Sequence, residues 1–136
     1  MQFDTKFAVV LDDALEVWQK LNVTAFLTSG IIGTHHEMIG APYEDASKVS
    51  YAALCIQPVI VLQTSSEKLG TMLARATSRG VDAAIYIEDM FSTGFDAANR
   101  QTVAQYNTDA LPLVGLALRA DKKVVDKITK GAKLHD

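Results

Sequence analysis

The sequence predicts an α/β fold in which a mostly parallel sheet carries helices on both faces. Four short apolar runs, partly β-branched, indicate strands that are covered on both sides. Amphipathic stretches alternate with them, which is typical of a layered α/β architecture. The fourth strand follows a loop instead of a crossover helix, so an antiparallel orientation stays open for it. The predicted strands span residues 7–11, 58–62, 83–87 and 113–118.

The first helix is predicted directly after the first strand. Asp13 and Glu16 have the spacing of a capping box, which favours a helix start at this point. Gly30 and Gly33 interrupt the pattern, so we expect the helix to end near one of them. The expected buried stripe consists of Leu15, Trp18, Leu21 and Ala25.

Two further helices are predicted after the second and fourth strands. Thr64 and Glu67 indicate a second capping box, and Gly80 supplies the expected stop. Asp121 is the expected cap of the last helix, which Gly131 closes. The side chains expected to face the core from these helices are Leu69, Met72, Leu73, Ala76, Val124, Val125 and Ile128.

Two segments lack a regular pattern. Residues 34–55 predict a long surface loop, of the kind that is often functional or mobile. Residues 90–110 predict an irregular segment with a helical turn at 97–103.

The composition predicts one cytosolic domain spanning residues 1–136. This length is near the commonest domain size, and 49% hydrophobic residues suffice for a core. Cys55 is the only cysteine, which excludes an internal disulfide and a cysteine-based zinc cluster and fits a reducing cytoplasm. The first six residues lack a signal-peptide pattern, and no apolar run reaches the ~20 residues of a membrane span. We therefore expect a soluble cytoplasmic protein without a membrane partner.

The charge distribution bears on nucleic-acid binding. A net charge of -3 argues against DNA as a partner, because affinity for nucleic acids depends on neutralising phosphates. Residues 119–133 nevertheless hold six of the 13 basic residues, opposed by two aspartates. This segment is either a solvated helix face, the commoner case, or a local phosphate-binding patch.

Candidate site residues come from the strand ends, where open α/β sheets bind their ligands. Glu88 and Asp89 follow the third strand, although an acid at this point is equally typical of an ordinary turn. Lys20 and Thr24 lie one turn apart on the first helix and share a face, where Lys20 either borders a cleft or is solvated. A lysine, a hydroxyl and a carboxylate together can polarise an ester and position a water.

His35, His36 and Glu37 are candidates for a metal site. Adjacent residues on a helix point about 100° apart, and this spacing matches no standard zinc signature. We therefore predict no metal and no cofactor, with the histidines as surface residues.

Five segments carry a family resemblance. Residues 7–13, followed by Lys20 on the next helix, and residues 86–90, Tyr-Ile-Glu-Asp-Met, resemble the opening and the V-R-D-A-G region of the type II peptidyl-tRNA hydrolases. Residues 113–118, 125–129 and 133–134 resemble the last strand, the I-D-K-I-T helix and the terminal K-L of that family. More closely, the chain is similar to an offshoot with that fold, the domain-of-unknown-function family two thousand.

The resemblance implies a three-layer α/β/α fold with a four-stranded mixed sheet in the order 2143, whose last strand is antiparallel. It also implies a homodimer that cleaves the ester between peptide and tRNA without a metal. By position, Lys20 corresponds to the family's helix lysine, Asp89 to its carboxylate and Thr93 to the threonine that follows. Thr24 and Glu88 adjoin these residues as candidates for a ligand cleft.

Other positions depart from the family's pattern. Residues 15–19 are acidic and apolar where the family has glycines and lysines, residues 22–24 lack its glutamine, and residues 109–113 lack its threonines. The missing basic groups disfavour tRNA as a partner. We therefore favour a dimeric protein that binds an unknown small ligand and is not a working peptidyl-tRNA hydrolase. The alternative is a metal-independent hydrolase of an ester or amide that uses Lys20 and Asp89.

Overall fold

The sheet is organised around a central strand that is buried on both faces. The computed structural model describes residues 2–136, and its central strand β1 (Thr5–Asp12) pairs with parallel β4 (Val59–Thr64) and antiparallel β6 (Leu113–Asp121). Beyond β6 lies β5 (Ala84–Ile87), and beyond β4 lies β7 (Lys133–Leu134), each antiparallel to its neighbour. The sheet is therefore mixed and five-stranded, in the order β5-β6-β1-β4-β7.

The four predicted strands lie in the relative order that we expected, and the last of the four runs antiparallel to β1. The expected number of strands was wrong, because the two-residue strand β7 extends the sheet beside β4. A strand of two residues is too short to produce a periodic pattern, so the sequence carried no signal for it.

Helices cover both faces of the sheet. Alternate side chains of β1 point to opposite faces, as strand geometry requires. One face packs against α1 (Val17–Thr34), and the other packs against α2 (Ser66–Ser78) and α4 (Lys122–Ile128). The short helix α3 (Asp96–Val103) confirms the predicted helical turn between β5 and β6.

The predicted stripe and cap of α1 were wrong. Glu16, not Asp13, is the N-cap, and its backbone N–H donates to Gln19 Oε1 at 2.9 Å. Trp18 and Leu21 are 56% and 68% exposed, respectively. Apolar residues occur around the whole circumference of this helix, so their spacing could not identify the buried side. The residues that α1 buries are Val23, Leu27 and Ile31.

The other helices follow the prediction more closely. Leu69, Met72 and Ala76 are buried on α2, and Val125 and Ile128 are buried on α4. Gly80 is confirmed as the stop after α2, since it has a φ of +67°. Asp121 is confirmed as the cap of α4, since its carboxylate accepts a hydrogen bond from the Lys123 N–H. At α2 the predicted capping box was wrong, because Ser65 is the N-cap and Thr64 ends β4.

The predicted long loop contains a small exposed hairpin. Strands β2 (Tyr43–Glu44) and β3 (Ser50–Tyr51) pair within residues 39–56, which we call the hairpin arm. Its base is held by Gln57, whose side-chain oxygen accepts from Arg119 Nε at 2.9 Å. The large apolar side chains that the hairpin arm exposes are Ile39, Tyr43, Val49, Tyr51, Leu54 and Ile56.

In the part of the chain that the structure describes, none of the helices is both long enough and apolar enough to cross a membrane.

Candidate functional site

Lys20 and Thr24 line a cavity of about 510 Å³ between α1 and β4, which we call the α1–β4 cavity. The Thr24 hydroxyl donates to the Lys20 carbonyl oxygen at 2.7 Å, as expected for residues one helical turn apart. Both side chains are half-buried. The full lining consists of Leu11, Lys20, Leu21, Thr24, Ala25, Thr28, Val61, His135 and Asp136.

The Lys20 amine forms no ion pair with any carboxylate of residues 2–136. Ammonium groups keep their charge most readily where an anion or water meets them. The α1–β4 cavity therefore combines a lysine that pairs with none of the described carboxylates with four aliphatic residues and four polar ones, among them Asp136.

His135 also lines this cavity, and the sequence had not indicated it as a site residue. Its backbone N–H donates to the Val61 carbonyl oxygen at 3.0 Å, which fixes the segment against β4. Its Nδ1 lies 2.9 Å from the Asp136 carbonyl oxygen, and its buried Nε2 has no hydrogen-bond partner among the described residues. No motif surrounds His135, so only the pairing of β7 with β4 reveals its position beside Lys20.

The other predicted site residues lie on the 3₁₀ turn Glu88–Ser92, which follows β5, and at its C-cap, Thr93. Asp89 Oδ2 accepts a hydrogen bond from the Tyr106 hydroxyl at 2.9 Å, and this bond raises the pKa of Tyr106. The Thr93 hydroxyl contacts the Asn99 side-chain oxygen and donates to the Met90 carbonyl oxygen at 3.0 Å. Asp89 and Thr93 therefore have partners within the turn and the α3 region.

Glu88 is the first residue of the same turn and lies apart from Lys20 and Thr24. It is exposed and lines a shallow cavity of about 310 Å³ together with Asp12, Glu67 and Asp109. These carboxylates repel anions, so this cavity differs in charge from the one that contains Lys20.

The flank of α1 that faces the Glu88–Ser92 turn is aromatic. Trp18 packs edge-on against Phe91 with ring centroids 5.8 Å apart, and Phe26 lies 5.8 Å from Tyr86. Burial raises the pKa of Tyr86, and a hydrogen bond with Asn22 opposes that shift. Trp18, Asn22 and Phe26 succeed one another at four-residue spacing, so they define one side of the helix.

Lys20 projects from the opposite side of α1. Residues two positions apart on an α-helix differ by about 200°, so Lys20 and Trp18 point in nearly opposite directions. The aromatic flank faces β5, whereas Lys20 and Thr24 share their cavity with residues of β4 and the segment after β7. Since β5 and β4 lie on opposite sides of β1, the structure keeps Lys20 and Thr24 apart from Asp89 and Thr93.

His35 and Arg119, from the histidine pair and the basic segment, both contact the carboxylate of Glu37. His35 Nδ1 lies 3.4 Å from Glu37 Oε1, and that carboxylate also pairs with Arg119 at 3.3 Å. Hydrogen bonding to the backbone, with help from both cations, lowers the pKa of Glu37. No group of three or more potential metal ligands occurs in residues 2–136. Arg119 is largely buried, so the exposed basic residues of segment 119–133 are Lys122, Lys123, Lys127, Lys130 and Lys133.

Comparison with known proteins agrees with the fold described above. The family model for a protein of unknown function, DUF2000, matches residues 5–136. The solved structure of a protein of unknown function from Agrobacterium tumefaciens strain C58 is 54% identical, with a TM-score of 0.97 over 99% of this chain and 100% of that one. No curated protein matches the sequence. Because the family model spans nearly the whole chain, the protein belongs to the DUF2000 family.

Proposed function

We propose that this protein binds a small ligand in the α1–β4 cavity and is not a working peptidyl-tRNA hydrolase. The observation that carries the proposal is the position of Lys20, which lines a cavity with aliphatic walls and pairs with none of the described carboxylates, while Asp89 is bound to Tyr106 on the other side of α1. Ester hydrolysis by these two residues requires both to reach the same bond. Their separation favours binding over catalysis.

The composition of the cavity supports a binding role. Small-molecule sites have volumes of roughly 300–1,000 Å³ and combine apolar walls with a few polar groups. The α1–β4 cavity has that size, with aliphatic residues for contact area and Lys20 for orientation. An ammonium group in such a wall selects for an anionic group on the ligand.

Octanoate is a suitable first probe because it combines an aliphatic chain with one carboxylate. We expect isothermal titration calorimetry to detect its binding and Lys20→Met to weaken it by about tenfold or more, since hydrogen bonds to charged groups contribute about 1.5–3 kcal/mol. The matched control is Lys123→Met, because Lys123 is exposed and lines no cavity described above. Equal octanoate affinity in wild type and Lys20→Met would contradict the proposal.

The hydrolase alternative is tested in parallel with purified peptidyl-tRNA and with a p-nitrophenyl ester. We expect no turnover above the uncatalysed rate, and no change in Asp89→Asn. Turnover that both Lys20→Met and Asp89→Asn abolish would replace the binding proposal with a metal-independent hydrolase of the peptidyl-tRNA hydrolase II type. We propose that the type II fold resemblance reflects architecture, since one fold commonly serves several functions.

We also propose that the protein is a cytoplasmic homodimer whose protomer is a single domain. The support is the hairpin arm, which exposes six large apolar side chains and whose two-residue strands contribute little stability by themselves. Leu54→Glu combined with Ile56→Glu should then shift a dimer to monomer in sedimentation velocity, while the exposed control Ser47→Glu should not. A wild-type protein that sediments only as monomer would refute this part.

A further inference from the structure

The two edges of the sheet differ in how they are protected. Edge strands carry unpaired backbone N–H and C=O groups, and proteins commonly shorten or charge these strands to prevent pairing with another chain. The edge strand β7 follows this rule, since it has two residues and one of them is Lys133. The other edge strand, β5, has four residues, Ala-Ile-Tyr-Ile, without a charge or a proline. The free side of β5 is therefore not protected by charge.

The backbone groups on the free side of β5 are open to a further strand. In an antiparallel ladder, alternate residues direct both their N–H and their C=O towards the neighbouring strand. The remaining residues of Ala84–Ile87 therefore direct these groups away from β6. Among residues 2–136, no backbone group outside this ladder hydrogen-bonds to the backbone of Ala84–Ile87. Unpaired donors and acceptors in this alternating arrangement match the backbone of an extended peptide.

A cavity of about 500 Å³ adjoins this strand, and we call it the α1–α3 groove. Three β5 residues, Ala84, Ile85 and Tyr86, line it together with residues of α1 and α3. Tyr86 belongs to the core on the α1 face of the sheet, whereas Val103 of α3 packs against the core on the other face. The two helices therefore wall the groove from two sides, with the edge strand between them.

The α1–α3 groove offers an apolar contact surface and no unmatched charge. Among the described residues that line it, only Asp96 and Arg100 are charged, and they pair with each other. The ring of Phe26 lies 5.8 Å from that of Tyr86, yet Phe26 is 54% exposed. Much of this ring is therefore free to pack against a further aromatic or alkyl side chain. The groove is complementary to an uncharged segment that carries such a side chain.

We propose that the α1–α3 groove binds an extended, uncharged peptide segment of a partner protein, which adds a strand to the free side of β5. A second copy of this chain fits the site less well. Four strand residues span roughly 13 Å, and one strand pair of that length buries much less than the ~1,200–2,000 Å² of a stable protein–protein interface. A second copy would also bring its own α1 and α3 against the helices that wall the groove. This site is separate from the α1–β4 cavity, so the inference goes beyond the proposed function.

The probe is the uncharged heptapeptide acetyl-Ser-Val-Thr-Phe-Thr-Val-Ser-amide, which places Val, Phe and Val on one face of a strand. Its sequence reads the same in both directions, so parallel and antiparallel pairing present the same side chains. We expect isothermal titration calorimetry to give a Kd of about 1 mM or tighter. Two N-methylated isomers, at the third and fifth or at the fourth and sixth positions, keep every side chain but remove the N–H donors of one strand edge. One isomer should bind like the parent, and the other should lose about tenfold or more in affinity.

Two glycines of α1 provide a matched pair of variants. A Cβ at Gly30, which lines the groove, would lie 3.5 Å from Ala84 Cβ, an ordinary contact, so Gly30→Leu fills the groove beside β5. We expect it to weaken peptide binding about tenfold or more. Gly33→Leu is the control, because a Cβ there meets nothing within 4 Å and Gly33 lines none of the cavities described above. Phe26→Ala should weaken binding about three- to tenfold, the range for one aromatic contact, whereas the exposed control Phe95→Ala should not.

Amide hydrogen exchange measured by nuclear magnetic resonance locates the bound peptide without any substitution. We expect the heptapeptide to slow exchange at alternate residues of β5 and to leave Lys133 and Leu134 of β7 unchanged. Equal affinity of the two N-methylated isomers, wild-type affinity of Gly30→Leu, or no binding at about 1 mM peptide would each overturn the proposal. Protection of β5 in the peptide-free protein that disappears on dilution would also overturn it, because a second copy then occupies the edge.

Discussion

Gly115 provides a direct test of the packing that positions α1. This glycine lies in β6 opposite Leu11 of β1, beneath the buried side of the helix. A Cβ at this position would come within 2.7 Å of Val23 Cγ1 and 3.1 Å of Leu27 Cδ1. Val23 is β-branched and fully buried, so it cannot rotate away. We therefore expect Gly115→Ala to push α1 off the sheet or to strain both elements.

The expected magnitude follows from the overlap. Adding one methyl group to a well-packed core typically costs about 1–3 kcal/mol, and a 2.7 Å contact with a constrained side chain favours the upper half. Val23→Ala alone should cost about 2 kcal/mol, from two buried methyl groups at about 0.8 kcal/mol each plus a residual cavity. In the double variant the added methyl occupies the space that Val23 vacates. Its destabilisation should therefore be smaller than the sum of the two single changes by about 1 kcal/mol or more.

Equilibrium unfolding in urea, followed by far-ultraviolet circular dichroism, measures these free energies. Gly33→Ala is the matched control, because a Cβ there meets nothing within 4 Å and alanine is the better helix former. We expect that control to be neutral or to stabilise the protein by up to about 1 kcal/mol. If Gly115→Ala is as stable as wild type, or if the two changes are additive, the close approach of α1 to β6 is wrong.

Three further predictions concern other parts of the fold. Gly80 has a φ of +67°, so Gly80→Ala should lower the free energy of unfolding by about 1–2 kcal/mol, and an unchanged urea midpoint would exclude strain there. Arg75 donates to the carbonyl oxygens of Ile128 and Lys130, so Arg75→Met should cost about 1–3 kcal/mol; a neutral result in the same assay would mean that these bonds contribute nothing net. Because the hydrogen bond to Asp89 raises the folded-state pKa of Tyr106, its stabilisation is present below the unfolded pKa of about 10 and is lost as the pH rises through the folded value. The stability difference between wild type and Tyr106→Phe should therefore shrink above pH 10 in urea titrations, and a constant difference would contradict this assignment.

The elements that the sequence predicted correctly are those with one dominant signal. The β1 run is apolar at every position because the strand is covered on both faces, and the large apolar residues of α2 are confined to its buried side. Gly80 and Asp121 were identified because backbone conformation and capping chemistry restrict which residues can occupy those points. In each case a local rule and the tertiary environment require the same residue type.

The orientation of α1 could not be predicted in the same way. Val17, Leu21 and Phe26 are exposed, yet they are as hydrophobic as the buried Val23 and Leu27. Which of these residues faces the sheet depends on where a helix can approach the strands closely. Gly115 permits that approach in β6, where it lies against Val23. The two residues are far apart in the sequence, so a local pattern cannot predict their contact.

The orientation of α1 also decides the chemistry of the candidate site. The four-residue spacing correctly placed Lys20 and Thr24 on one face, since that relation is internal to the helix. It could not say whether that face points towards Asp89 or away from it. With Val23 and Leu27 seated over Gly115, the side occupied by Trp18 and Phe26 meets the turn that contains Asp89. Lys20 is consequently directed towards β4 and His135, where it lines a cavity. If the helix were rotated by about half a turn, Lys20 would instead face the side of Asp89, as a hydrolytic pair requires.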